Sequence, residues 1–307
     1  MGIVVIGAIF LDVKGYPLDK YIPAGRNSGR VEYVHGGVAR NVAEDIANME
    51  LRPTFVSLID DSANGQAVLE KLKKHKVNTD FIAETKDGMG TWLAVFDNEG
   101  DVVASISKRP DMTRLHEIID AHAEEIFAGA DSIAVEIDFD KDVVKQIFDY
   151  AGLYGKDVYA LVSNMSIAVQ RRDLIRRTRC FICNQQEAGI LFSEDYSEKS
   201  PEEMQEILYQ KIQKAGIESM VVTMGGKGAV YASSKGEHGY APAQKVEVKD
   251  TTGAGDSFFA GVCAGLTYGK TMAESCEIAS RIAASVIATS DNVCPRFQPA
   301  EFGFENI

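Results

Sequence analysis

The chain has 307 residues, 45% of them hydrophobic and 25% charged. A chain of that length buries about three quarters of its unfolded surface without staples, so disorder, collagen-like repeats and small disulfide scaffolds are excluded. With 32 basic against 45 acidic residues, the formal charge of −13 argues against nucleic-acid and membrane-surface partners. A small anionic substrate held by local amides and a metal is still compatible with it. No run reaches the apolar length of a membrane span, and Met1–Gly7 leads straight into a strand without a basic leader, so neither a span nor a signal peptide is expected. Five cysteines without framework spacing fit a reducing, cytoplasmic setting. Cys180 and Cys183 form a lone CxxC whose apolar surroundings read as a buried strand rather than a metal or redox site.

Segments 3–6, 54–58, 132–135, 158–162, 180–183 and 219–223 are short and apolar throughout, as strands covered on both faces must be. Between them, Val38, Val42, Ile46 and Met49 recur at helical spacing, as do Val143, Ile147 and Tyr150. Segment 201–214 follows the helix-start signal Ser200-Pro201-Glu202-Glu203. The alternation predicts an α/β fold with a doubly wound, mostly parallel sheet. Segments 30–34 and 91–106 break the pattern, since they alternate in polarity with no helix between and the second turns at Asp97–Gly100. They predict a small β-sheet lid, inserted at about 13–35 and 88–108 into one domain spanning 1–307, lying over the carboxyl ends of the main strands. Exposed lid edges predict a homodimer formed through them.

The chemistry concentrates in four segments. Asp250–Gly261 follows a predicted strand ending near 248 and opens a helix rich in small residues. Gly253 and Gly255 permit a tight turn, and the N–H groups of the first helical turn favour a phosphate or developing anion. Asp256 at that point reads either as a base for an attacking hydroxyl or as a plain helix cap. His35-Gly36-Gly37-Val38-Ala39-Arg40-Asn41 again leads from strand to helix. Gly36 and Gly37 allow a ligand close, and Asn41 with Asp12, just after the first strand, suits a polyol; a turn with a surface Asn is the alternative. Segment 221–230, containing Met224-Gly225-Gly226-Lys227-Gly228, reads on its own as a hairpin and is not a Walker A loop. Asn184 and Glu187, after the Cys180 strand, suit either a hydrated magnesium or a capping box, and the two are compatible.

In this order and spacing the four segments resemble the ribokinase-like (phosphofructokinase-B-type) carbohydrate and nucleoside kinases over essentially the whole chain. The resemblance implies a ribokinase-like αβα sandwich with a β-sheet lid, ATP as phosphoryl donor and magnesium as cofactor. It implies Asp256 as the base, with Gly253, Ala254 and Gly255 forming the anion hole. By the same resemblance Asn184 and Glu187 position magnesium and phosphates through water, and Thr223, Gly225 and Gly228 contact the nucleotide. Asp12, Gly36, Gly37 and Asn41 contact the acceptor's hydroxyls. Many relatives also bind potassium beside the anion hole, where Asp250 and Thr252 begin the loop.

The amino-terminal run looks most like the bacterial pseudouridine kinases, through Asp12-Val13-Lys14-Gly15-Tyr16, Asn27–Val31 and Arg40 before Asn41. That implies the 5′-hydroxyl of pseudouridine as acceptor. A free sugar such as ribose, fructose or 2-keto-3-deoxygluconate is the alternative within the class. A sensor of sugars or nucleosides that keeps the fold without the reaction is the alternative outside it.

Overall fold

The computed structural model describes residues 2–304. In chain order its strands are β1 Val4–Ile6, β2 Ile9–Pro17, β3 Gly29–Gly36, β4 Thr54–Ile59, β5 Ile82–Glu84, β6 Met89–Phe96 and β7 Val102–Lys108. They continue with β8 Ile133–Glu136, β9 Val158–Leu161, β10 Cys180–Asn184, β11 Ser219–Thr223, β12 Ala229–Ser233 and β13 His238–Ala241. Nine of them form one sheet in the order β13-β12-β11-β10-β9-β8-β1-β4-β5. All its pairings are parallel except the two made by β12, with β11 and with the edge strand β13.

The apolar runs are continuous because both faces are covered. Val5 faces one core with Val42 and Ile46 of helix Val38–Asn48, and with Phe258 and Ile278 of helices Ala254–Thr267 and Met272–Ile287. Val4 and Ile6 face the other, with Val143 and Ile147 of Lys141–Leu153 and Leu208 of Pro201–Ala215. All five cysteines are free and buried, so the CxxC is strand packing. No helix among the described residues is long and apolar enough to cross a membrane.

The smaller sheet has the order β3-β2-β6-β7, with β2 and β6 parallel. Its first segment starts at Ile9, earlier than the sequence suggests, so Asp12 lies inside β2 rather than in a loop after β1. One face carries Phe10, Asp12 and Lys14. The other carries the row Tyr33, Val13, Leu93 and Ile106, of which Ile106 is 70% and Tyr33 65% exposed.

One expected strand is absent. Segment 242–250 pairs with no strand. Pro242 has no N–H to give a ladder, Val248 is 59% exposed, and Lys249 N–H bonds instead to the Ile287 carbonyl at 2.8 Å.

Candidate active site

Helix Ala254–Thr267 starts without a side-chain cap. Its N-cap residue Gly253 sits at φ 81°, where a Cβ would be driven into the Asn292 carbonyl oxygen. At Gly255 an added Cβ would meet nothing within 4 Å, so the first turn faces open space. Unpaired N–H groups at a helix start of this kind suit an anion. Ala254, expected to help hold the anion, spends its N–H on a long 3.3 Å bond to the Thr251 carbonyl.

Asp256 lies in this turn, half-buried, and its Oδ2 accepts from Asn41 Nδ2 at 2.6 Å. Burial pushes its carboxyl up to about 6. The Asn41 bond and the Arg40 charge pull it back down, while Asp12 and Glu187 push it up. Residues from four distant parts of the chain, 12, 40–41, 187 and 256, therefore meet here. The other amide atom, Asn41 Oδ1, is buried and has no partner. An unmet buried acceptor costs about 1–3 kcal/mol, which a ligand hydroxyl would relieve.

The glycines before Asn41 make room for protein atoms. Gly36 ends β3 pressed against the Asp12 carboxylate, where any side chain would collide with it. Gly37, at φ 98°, is the N-cap of helix Val38–Asn48. Arg40, fully buried, clamps the turn by donating to the His35 and Gly36 carbonyls and to Glu44 Oε2, the last at 2.6 Å. Asn292 Nδ2 also donates to His35 O, at 3.0 Å. Asp12 is pushed up by burial and eased by Lys14 and Arg40.

Asp45, which sequence reasoning missed, fixes Asn41 relative to Asp256. It is fully buried one turn past Asn41 and accepts from Ser257 Oγ at 2.8 Å and Cys294 N–H at 2.6 Å. Its carboxyl is raised by burial to about 7. Lys14 was missed as a site residue too. It is 7% exposed, lies on the Asp12 face and makes no ion pair among the described residues. Its sequence signals were its place in the Asp12–Tyr16 run and its alternation with Asp12.

Asn184 and Glu187 form a complete capping box on helix Gln185–Phe192: Glu187 N–H donates to Asn184 Oδ1 and Asn184 N–H to Glu187 Oε2, each at 2.8 Å. Glu187 Oε1 lies outside the box, and burial pushes this carboxyl up. Thr223 pairs with Asn184 across β10 and β11, which brings together the two segments expected on the nucleotide side. Beyond it Gly225–Lys227 make one 3₁₀ turn, closed by Gly228 at φ 98°. Asp250 Oδ1 accepts the Thr252 N–H at 2.8 Å. Burial would raise the Asp250 carboxyl, but that bond and the Lys14 charge outweigh it and hold it low. Among the described residues no three acidic, histidine or cysteine side chains gather closely enough to cage a metal. Hard oxygen donors such as Glu187 Oε1 suit magnesium held through water.

A family model for pfkB family carbohydrate kinases matches residues 2–293. The chain belongs to this family. This kinase is 34% identical over 292 residues to a guanosine-inosine kinase from Exiguobacterium acetylicum, covering 94% of this chain and 95% of that one. It is 25% identical over 280 residues to the pseudouridine kinase of Escherichia coli (strain K12), covering 90% and 87%. Arabidopsis thaliana ribokinase, solved with ribose and ATP, superposes with a TM-score of 0.84 at 19% identity, covering 98% of each chain. The kinase therefore has the ribokinase-like fold and acts on a sugar or nucleoside.

Proposed function

We propose that this kinase transfers the γ-phosphoryl group of ATP to the 5′-hydroxyl of a ribonucleoside, with inosine or guanosine as the leading acceptors. The observation that carries the reading is Asp256, a carboxylate of raised pKa in the first turn of an uncapped helix, hydrogen-bonded to an asparagine whose other amide atom has no partner. Asp256 takes the hydroxyl proton as the oxygen attacks the γ-phosphorus, and the bond to the β-phosphate oxygen breaks to release ADP. The helix N-terminus at Gly253–Gly255 meets the charge on the transferred group. Asn41 Oδ1 and the Asp12 carboxylate accept from ribose hydroxyls. Thr223, Gly225 and Gly228 line the nucleotide side. Magnesium would be held through water by Asn184 and Glu187 and would neutralise phosphate charge, and potassium would sit by Asp250 and Thr252.

The purine acceptor is favoured by the 34% identity to a kinase named for guanosine and inosine, which spans nearly all of both chains. Pseudouridine is the second reading. It is supported by the Asp12–Tyr16 and Arg40-Asn41 pattern and by the Escherichia coli relative. ADP release across inosine, guanosine, pseudouridine, uridine, adenosine and ribose tests the set. We expect kcat/KM for inosine or guanosine to exceed that for ribose by about 100-fold or more, since the base adds binding energy at its own contacts. Turnover confined to free sugars would sink the nucleoside reading.

The exposed row of Tyr33, Leu93 and Ile106 fits a second copy covering the outer face of the small sheet. Light scattering is expected to give a dimer mass, and Ile106→Glu a monomer. A monomeric wild-type protein would contradict this pairing.

A further inference from the structure

A cavity of about 340 Å³ opens between loop 109–113 and the carboxyl ends of β8 and β9, and it is lined by Phe10, Arg109, Glu136, Asp138, Phe139 and Ser163 among others. Its position relative to the acceptor site follows from two contacts. Phe10 stands two residues before Asp12 on the same face of β2, about 7 Å along the strand. Gly7 is pressed between Ala39, two residues before Asn41, and Glu136, whose Oε2 accepts the Ala8 N–H at 3.0 Å. A ribose held by Asp12 and Asn41 thus has this cavity as its neighbour.

The polar groups at the rim are unlike each other. Ser163 Oγ donates its hydrogen to Asp138 Oδ2 at 2.6 Å. A hydroxyl has one hydrogen and two lone pairs, so even with Glu136 Oε1 at 3.3 Å one lone pair is left to the cavity as an acceptor. Arg109 donates from Nη1 to the Asp138 carbonyl at 2.6 Å, while its Nη2 is 3.5 Å from Asp138 Oδ2, too far for a good hydrogen bond. Its side chain is 41% exposed, and a guanidinium only donates. Beneath them Glu136 is raised by burial and by the neighbouring Asp138, which lessens the negative charge of the cavity floor. Phe10 and Phe139 supply apolar surface for a flat ring.

We propose that this cavity reads the base of the acceptor, with Arg109 donating to an oxo group and Ser163 Oγ accepting from the adjacent ring N–H. The inference rests on the nucleoside reading above and gives that site its selectivity. Bases with a carbonyl beside an N–H, such as hypoxanthine and guanine, satisfy both groups. Arginine pairs with O6 and N7 of a 6-oxopurine, whereas an adenine edge suits Asn or Gln, and neither lines this cavity among the described residues. With the ribose fixed, adenine would turn an amino donor toward a donor-only group.

The test compares kcat/KM for inosine and adenosine in the wild-type protein and in Arg109→Ala, Arg109→Gln and Ser163→Ala. Retained stabilisation by ATP in thermal melts confirms that each variant is folded. The wild type is expected to prefer inosine by about 100-fold, and Arg109→Ala to lose about 10- to 100-fold on inosine, the worth of one good bidentate contact. Arg109→Gln, with an amide that both donates and accepts, is expected to move the ratio toward adenosine. An inosine-to-adenosine ratio unchanged within twofold in all three folded variants would overturn the assignment while leaving a nucleoside kinase. A wild-type enzyme that phosphorylates only free sugars would overturn both, so the two failures are distinguishable.

Discussion

Asp256→Asn is expected to lower kcat by about 10³-fold with little change in KM for ATP, the scale of a lost general base. The amide keeps the shape and the contact with Asn41 but cannot take the acceptor's proton. The same group sets the acid limb of the pH profile. Its carboxyl is raised to about 6, so wild-type kcat/KM should fall as the pH drops through that value, and the residual rate of the variant should not follow it. Stability should move the other way. The native state binds this proton more tightly than the unfolded chain does. Between the ordinary aspartate value of 3.8 and about 6 the unfolded chain therefore deprotonates first, and stability falls as pH rises through that window. At pH 7 the charged carboxylate is a cost, and Asp256→Asn should melt no lower than wild type. A variant with near-normal turnover would remove the base role from Asp256.

Gly253→Ala carries the second large effect, on both stability and rate. The residue holds φ 81° as N-cap, and a methyl there runs into the Asn292 carbonyl oxygen. The left-handed conformation costs a non-glycine residue about 1–2 kcal/mol, and forced overpacking adds about 1–3 kcal/mol. For a chain of this size that lowers Tm by about 5 °C or more. Asn292 also holds His35, at the turn that carries Gly36 and Asn41, so the displacement reaches the acceptor side. A shift of about 1 Å in the phosphate-binding turn is expected to cost about 100-fold in kcat. Gly255→Ala separates the two effects. Its added methyl meets no protein atom within 4 Å, so Tm should hold while kcat falls because the methyl enters the phosphate space. Melting curves and kcat on the two variants check this, and equal melting losses would contradict it.

Much of the fold could be read from the chain because the signals were local. Strands buried on both faces write themselves as unbroken apolar runs, and β11 Ser219–Thr223 matches its predicted bounds. Ser200-Pro201 marks its helix start through a capping box that the structure contains. The expected strand near 248 failed because Val246 and Val248 look apolar in sequence, yet both lie on an exposed connector anchored at Ile287. The glycine-rich segments of the candidate site were visible as motifs. What each glycine makes room for was not, since Gly36 meets Asp12 only after β2 and β3 pair. Asp45 and the Arg109–Asp138–Ser163 group carried no motif. Their roles arise from tertiary neighbours at separations of 25 residues or more, such as Ser163 with Asp138 and Asp45 with Ser257. The clue available for the cavity was Glu136-Ile137-Asp138, two acids alternating directly after an apolar strand.

The most direct measurement is product identification by ³¹P NMR after incubating the wild-type protein with ATP, magnesium and inosine, run beside Asp256→Asn. The expected result is a nucleoside 5′-monophosphate formed in equal amount with ADP, and almost none from the variant. ADP accompanied by inorganic phosphate alone, or equal product from Asp256→Asn, would contradict phosphoryl transfer to a nucleoside at this site.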